Sequence, residues 1–427
     1  MVRRACECRQ AAGPQAQFLL LRRPLLSTLL RVRQRIWQTA QQRQSFRLRR
    51  GALRTRIISR ADQGVPSDPE EMDEVAFSTF CDTRGEIGSA GPSVRILVTG
   101  IRGFLGAVLE KQALDGGWVV SGLDMDLYRD STSAPENAGS RADFQQLQIA
   151  DLQAYQAVVH LAAISSDAAS DLRTDAAARI NGTAAVELAR LAKDAGVPRF
   201  VFASTCSVYG SAPDRISTER SQCTPISTYA RSKLEAEQGI LAQASPTFAP
   251  VILRFATLYG LSPNLRSDLV VNSMVTSAWM SGEIGLHGSG EQSRPLVEVH
   301  DAASAVLDVL KAGDEEIRGQ VFNVTDESTG YSVADIAELV RQQVPGSRIV
   351  HHPAVSDKRH YMADGSRLRS LCRRPLRPLE DGIAEVSDAL RHADWQRCAT
   401  AQESNRARRL SHLLERGELT DDLRWCV

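Results

Sequence analysis

Residues 94–106 read VRILVTGIRGFLG, an apolar run that ends in glycines at Gly100, Gly103 and Gly106. A buried strand feeding a glycine-studded turn is the entry to a βαβ unit, and it commits the chain downstream to a parallel sheet with helices on both faces. The next segments keep that rhythm. FLGAVLEKQALDGG reads as a helix stopped by Gly116 and Gly117, and WVVSGLD as a second strand. LQIADL and AVVHLAA read as strands, AAVELARLAKDAG as a helix and RFVFAST as another strand. The fold expected is α/β, a Rossmann-type doubly wound parallel sheet with right-handed crossovers.

In such a turn Gly100 permits the tight bend, Gly103 lets backbone approach a pyrophosphate, and Gly106 lets the helix pack closely. The amides and dipole of the helix N-terminus then meet the phosphate charge. Gly100, Gly103, Phe104, Leu105 and Gly106 are therefore cofactor-binding candidates. Asp124 ends the second strand about 20 residues on, where an acid accepts from the ribose hydroxyls of an adenosine. An acid there also repels a 2′-phosphate, which favours NAD over NADP. Asp126 either shares that role or is solvated, with solvation preferred. Asp151 either reaches the adenine edge or caps a helix.

A second constellation is STCSVYG at 204–210, followed by YARSK at 229–233. Tyr229 and Lys233 are four apart, which on a helix puts them on one face with the ammonium near the phenol. A cation there stabilises phenolate and makes the tyrosine a usable base.

These stretches, with HLAA, LRFATLYG, RPLVEVHDAA and FNV in the same order, resemble the extended short-chain dehydrogenase/reductase superfamily, of the NAD-dependent epimerase/dehydratase type acting on nucleotide sugars. The resemblance spans roughly residues 94–400. It implies an NAD-carrying Rossmann domain over 94–260, with segments near 296–325 returning to it, and a smaller substrate-binding part over 261–400. It implies Tyr229 as catalytic base, Lys233 as the group that holds the nicotinamide ribose and tunes Tyr229, and Thr205 as donor to the reacting sugar oxygen. Ser204 is the neighbouring hydroxyl. Leu161, Ala162 and Ala163 are implied to line the cofactor, while His160 and Asn181 read as structural. On the substrate side it implies Asn272, Arg294, Arg359 and Tyr361; for Arg294, grip on a diphosphate competes with a surface ion pair.

Two departures bear on the reaction. Thr257 stands where related epimerases often carry Asn. Cys206 and Ser207 follow Thr205 where sugar 4,6-dehydratases place an acidic pair, so dehydration lacks its acid and base. What remains is an NAD-dependent epimerase working through a transient keto sugar, a nucleotide-sugar reductase or dehydrogenase with the same motifs, or a cofactor-binding regulatory module that has kept the fold.

The flanks differ in composition. Residues 1–60 contain one acid, Glu7, among many arginines, and no lysine precedes Lys111. That leader reads as an organelle transit peptide, for plastid or mitochondrion, or as a basic extension of a cytoplasmic protein. Residues 61–93 turn acidic and then Gly/Ser/Pro-rich, as a linker does. Residues 401–427 read as a helical tail, expected on the small domain or at a homodimer interface. Zero formal net charge gives no global pull on nucleic acid or an anionic membrane. No apolar run is long enough to span a bilayer. The eight cysteines lack the spacing of a zinc site or disulfide framework and read as reduced thiols, so no metal is expected.

Overall fold

The computed structural model describes residues 94–128, 141–325, 330–353, 361–372 and 374–426. The leader, the linker and Arg359 lie outside the described residues. Six strands form the central sheet: β1 Arg95–Thr99, β2 Val119–Leu123, β3 Ala157–His160, β4 Arg199–Thr205, β5 Ala249–Phe255 and β6 Gln320–Val324. They pair in parallel in the order β6-β5-β4-β3-β1-β2. The chain builds outward from β1 to β2 and then crosses to β3 on the other side. The strand order thus reverses between β1 and β3, where open α/β sheets bind ligands beyond the strands' carboxyl ends.

Both faces are covered, which is why the strands read as nearly unbroken apolar runs. Ile96 and Val98 of β1 point into one layer with Val108, Leu109 and Val306. Leu97 points into the other with Val158, Phe200, Leu188 and Ile240. The helices that supply these layers are α1 Phe104–Asp115, α2 Thr174–Asn181, α3 Thr183–Asp194, α4 Thr228–Leu241 and α6 Val299–Lys311, while α5 Val270–Ser281 turns its buried face elsewhere. Helix α6 packs on α1, and α4 packs on α2 and α3.

A smaller core lies beyond β5. Helix α5, α7 Val333–Gln343 and α8 Leu379–Ala389 bury Val271, Val275, Ile336, Val340, Ile383 and Val386 together. The parallel pair Glu283–His287 and Arg348–His352 covers one side. Among the described residues no helix is long and apolar enough to cross a membrane.

Two expectations fail here. LQIADL is not a strand: Ile149–Leu152 is a helical turn, because Gln148 and Asp151 form a capping box at its start. That local pairing outweighs a short apolar run. The second is the placing of the tail on the small domain, one of its two expected locations. Helix α9, Arg406–Glu415, and the residues after it pack on the Rossmann layers instead of the small domain: Leu410 and Leu413 of the helix and Leu419 and Leu423 beyond it are buried with Leu127, Phe144 and Ile180.

Candidate active site

The carboxyl ends of β1, β3 and β4 open into a cavity of about 1590 Å³. That exceeds the roughly 300–1,000 Å³ of a typical single-ligand pocket and leaves room for two ligands side by side.

Gly100, Gly103, Phe104, Leu105 and Gly106 line it. Gly100 has φ +75°, and a Cβ there would stand 2.7 Å from the Ala162 amide nitrogen, so only glycine lets the turn lie against the end of β3. A Cβ on Gly106 would come within 2.6 Å of the Ile101 carbonyl oxygen. Gly103 is the N-cap of α1 and supplies no side-chain cap, so the first amides of the helix face the cavity unclaimed by a cap. This bare, positively polarised cradle fits the pyrophosphate of a dinucleotide.

Asp124 lines the same cavity and is held in place by two backbone donors, Arg102 N at 2.9 Å and Asp126 N at 2.9 Å. Burial raises its carboxyl pKa, and the two amides work against that. Asp126 is not solvated: it pairs with Arg102 at a positive φ of 56°. Asp151 is half-buried, accepts from Gln148 N at 2.8 Å and is not part of the cavity wall, so it caps its own helical turn rather than reaching an adenine. Leu161, Ala162 and Ala163 do line the wall. His160 is fully buried beside Phe144 and Phe202, bonded through Nδ1 to Thr99 at 2.6 Å, and burial holds its pKa well below the usual value. It is a neutral structural histidine. Asn181 likewise exchanges hydrogen bonds with the backbone of Ile164.

Across the cavity, Thr205 ends β4 and Tyr229 stands in the first turn of α4, whose N-cap is Ser227. Thr205 Oγ1 accepts from Ser207 N at 3.1 Å. Ser204 also lines the wall, but its hydroxyl is committed to Glu237. The Tyr229 hydroxyl makes no hydrogen bond among the described residues. Burial pushes the phenol well above its ordinary value, Asp167 adds to this, and Arg266 opposes it.

The expected contact between ammonium and phenol is not made. Lys233 is 1% exposed and donates to the Ala203 carbonyl at 2.9 Å, with its Nζ 4.4 Å from the Phe202 ring centre. Burial lowers its pKa to about 7. The face shared by Tyr229 and Lys233 continues to Glu237, which the sequence reading missed. Glu237 accepts from Arg254 at 2.6, 3.0 and 3.1 Å; Arg254 donates to the Tyr209 hydroxyl at 3.0 Å, and that hydroxyl donates to Asn323 at 2.7 Å. The available signal was an arginine inside the apolar run VILRFA. Cys206 turns its thiol to the Arg254 carbonyl at 3.2 Å, and burial pushes the thiol pKa far up.

Of the substrate candidates, Arg294 and Tyr361 are buried and line the cavity, as does Thr257. Arg294 lies in the interior and not on the surface. Asn272 is removed from the wall: its amide bonds both the N–H and the carbonyl of Gly260, each at 3.0 Å, and it fixes the turn after Tyr259. Arg266, Asp268 and Arg406 also line the cavity, and none of them was foreseen.

The sequence profile of the NAD dependent epimerase/dehydratase family matches residues 96–325. The chain belongs to that family. A UDP-glucose 4-epimerase from Mycolicibacterium smegmatis is 30% identical over 323 residues, covering 70% of this chain and 99% of that protein. A dTDP-D-glucose 4,6-dehydratase from Mus musculus is 25% identical over 334 residues, covering 72% and 92%. The solved structure of MoeE5 in complex with UDP-glucuronic acid and NAD superposes with a TM-score of 0.61 at 27% identity, covering 71% of this chain and 99% of that one. Like its relatives this family member is an enzyme, and NAD is the family's cofactor. The glycine cradle and Asp124 are the parts of the chain that fit it.

Proposed function

We propose that the enzyme epimerises a nucleotide sugar through a transient keto intermediate, with Tyr229 as proton acceptor. One observation carries this over dehydration: Thr205 and Tyr229 line one cavity while the residue after Thr205 is a buried thiol turned to the main chain. Elimination of water needs an acid and a base beside the sugar. Neither Cys206, held protonated by burial, nor Ser207 supplies that pair.

In this reading Thr205 donates to the reacting sugar oxygen and Tyr229 removes the proton of the same hydroxyl. NAD, held by the glycine cradle and Asp124, would supply the reversible hydride acceptance that lets the sugar carbon be re-reduced from its opposite face. Tyr229 then returns the proton. Lys233, released from the Ala203 carbonyl, would bring positive charge toward the cavity and lower the phenol pKa. Arg294, the buried cation of the far wall, suits the diphosphate of the substrate. Apolar contacts with Leu161 and Ala162 keep water from the reacting centre.

The test is incubation of the full chain with UDP-, GDP- and dTDP-sugars without added coenzyme, with products followed by NMR. The proposal expects one sugar to convert to its stereoisomer, and Tyr229→Phe to convert none. Conversion only when NADH or NADPH is supplied would replace it with a reductase, and binding of NAD without conversion of any sugar would favour a regulatory module.

A further inference from the structure

The C-terminal segment crosses the edge of the cavity at its Asp124 end. Asn405, Arg406, Ala407 and Leu423 line the cavity there, beside Leu127 and Tyr128. The segment is tied to the residues that directly follow Asp124: Trp425 Nε1 donates to the Met125 carbonyl at 2.7 Å, and Arg409 Nε to the Leu127 carbonyl at 3.2 Å. Ser404 bonds Ser267 at 2.7 Å, and Asp421 and Asp422 pair with Arg173 and Arg179. Leu410, Leu413, Leu419 and Leu423 anchor it in the core.

Arg406, the first residue of α9, is 2% exposed. Its guanidinium lies 4.3 Å from the Tyr128 ring centre, and among the described residues its side chain makes one hydrogen bond, Nη1 to the Glu403 carbonyl at 3.3 Å, and no ion pair. The nearby Asp268 carboxylate is already gripped by Arg266 at 2.9 and 3.0 Å. A guanidinium with five donors, walled from water and facing a cavity, is a site for an anion. Burial and the neighbouring Arg266 lower its pKa to about 10, which leaves it charged at neutral pH. Its charge also bears on Asp124, the residue placed for the adenosine ribose.

We infer that residues 402–426 form a strap over the adenosine side of the dinucleotide cleft, and that Arg406 on this strap binds a pyrophosphate oxygen of the cofactor opposite the glycine cradle. This rests on the NAD site described above and adds a contact from a part of the chain outside the family match at 96–325. Asp268, itself held by Arg266, fixes the backbone position of Arg406 by accepting from its amide at 3.3 Å.

The test compares dinucleotide-free full-length enzyme with Arg406→Gln and, as control, Arg408→Gln on the exposed side of α9. Calorimetry gives the Kd of NAD, NADP, ADP-ribose and adenosine, and stopped flow gives the NAD release rate. Loss of a charge-assisted hydrogen bond predicts roughly 10- to 100-fold weaker NAD and ADP-ribose binding, faster NAD release and little change for adenosine. Arg408→Gln should match the wild type. A folded Arg406→Gln with unaltered NAD affinity and release overturns the inference, and a loss confined to NADP overturns the pyrophosphate assignment. Hydrogen exchange on the wild type covers the case in which Arg406→Gln does not fold: slower exchange of 406–415 with NAD supports the strap, and unchanged exchange refutes it. A wild type that binds no dinucleotide at all would instead remove the cofactor site on which the inference stands.

Discussion

Glu237 receives three hydrogen bonds from Arg254 directly behind the strand end that presents Ser204 and Thr205. Both residues are buried, Glu237 at 1% exposure. Removing one partner of such a pair strands the other charge in the interior. Glu237→Gln should therefore destabilise the enzyme by roughly 3–5 kcal/mol in urea unfolding. Replacing both members together, Glu237→Leu with Arg254→Met, should recover much of that loss. A double variant no more stable than the single one would mean that the pair's geometry, and not the orphaned charge, holds the region.

Two charged residues bracket the Tyr229 phenol with opposite effect. Burial is the main cause of its raised pKa; Asp167 raises it further and Arg266 lowers it. With Tyr229 as base, as proposed, activity should rise with pH as the phenol ionises. Asp167→Asn should move that limb of the pH–rate profile to lower pH and Arg266→Gln to higher pH. Shifts in one direction for both would take the limb away from Tyr229.

Thr205 and Tyr229 should separate in steady-state kinetics. Tyr229→Phe should lower kcat by roughly 10²–10⁴-fold, the range of a general base, with NAD affinity little changed. Thr205→Val should lower kcat less and leave the pH profile in place.

His300 gives a stability signature. Its Nδ1 lies 2.9 Å from Glu298, and that hydrogen bond, the largest cause, raises its pKa above 6.5. A folded-state pKa above the unfolded one gives stability that is fully present below about pH 6.5 and lost as pH rises through the higher folded value. His300→Gln should flatten the melting temperature across that window. An unchanged pH dependence would assign the slope to other groups.

What the sequence disclosed was what local rules control. The glycine turn, β4 and the helix bearing Tyr229 follow from periodicity and from positions where a Cβ does not fit. Asp151 and LQIADL went astray because a local capping pair and a long-range ligand contact call for the same residue type. The direction of Lys233 escaped because a flexible side chain on the right helical face can take the nearest carbonyl, here Ala203. Arg406 escaped for a different reason: it meets Asp268 across 138 positions and its segment meets Met125 across 300, and no spacing rule reaches that far. Asn272 showed the converse, a polar side chain whose hydrogen-bond partners among the described residues are the backbone N–H and carbonyl of Gly260.

The most direct measurement follows the hydrogen itself. The sugar identified in the NMR panel is prepared with deuterium at the carbon that inverts and incubated with NAD-loaded enzyme in the presence of unlabelled free coenzyme. Epimerisation with Tyr229 as base predicts that the product keeps the deuterium at the same carbon with the opposite configuration. Deuterium moved to C6 of a dehydrated sugar, or washed into the free coenzyme pool, would contradict it.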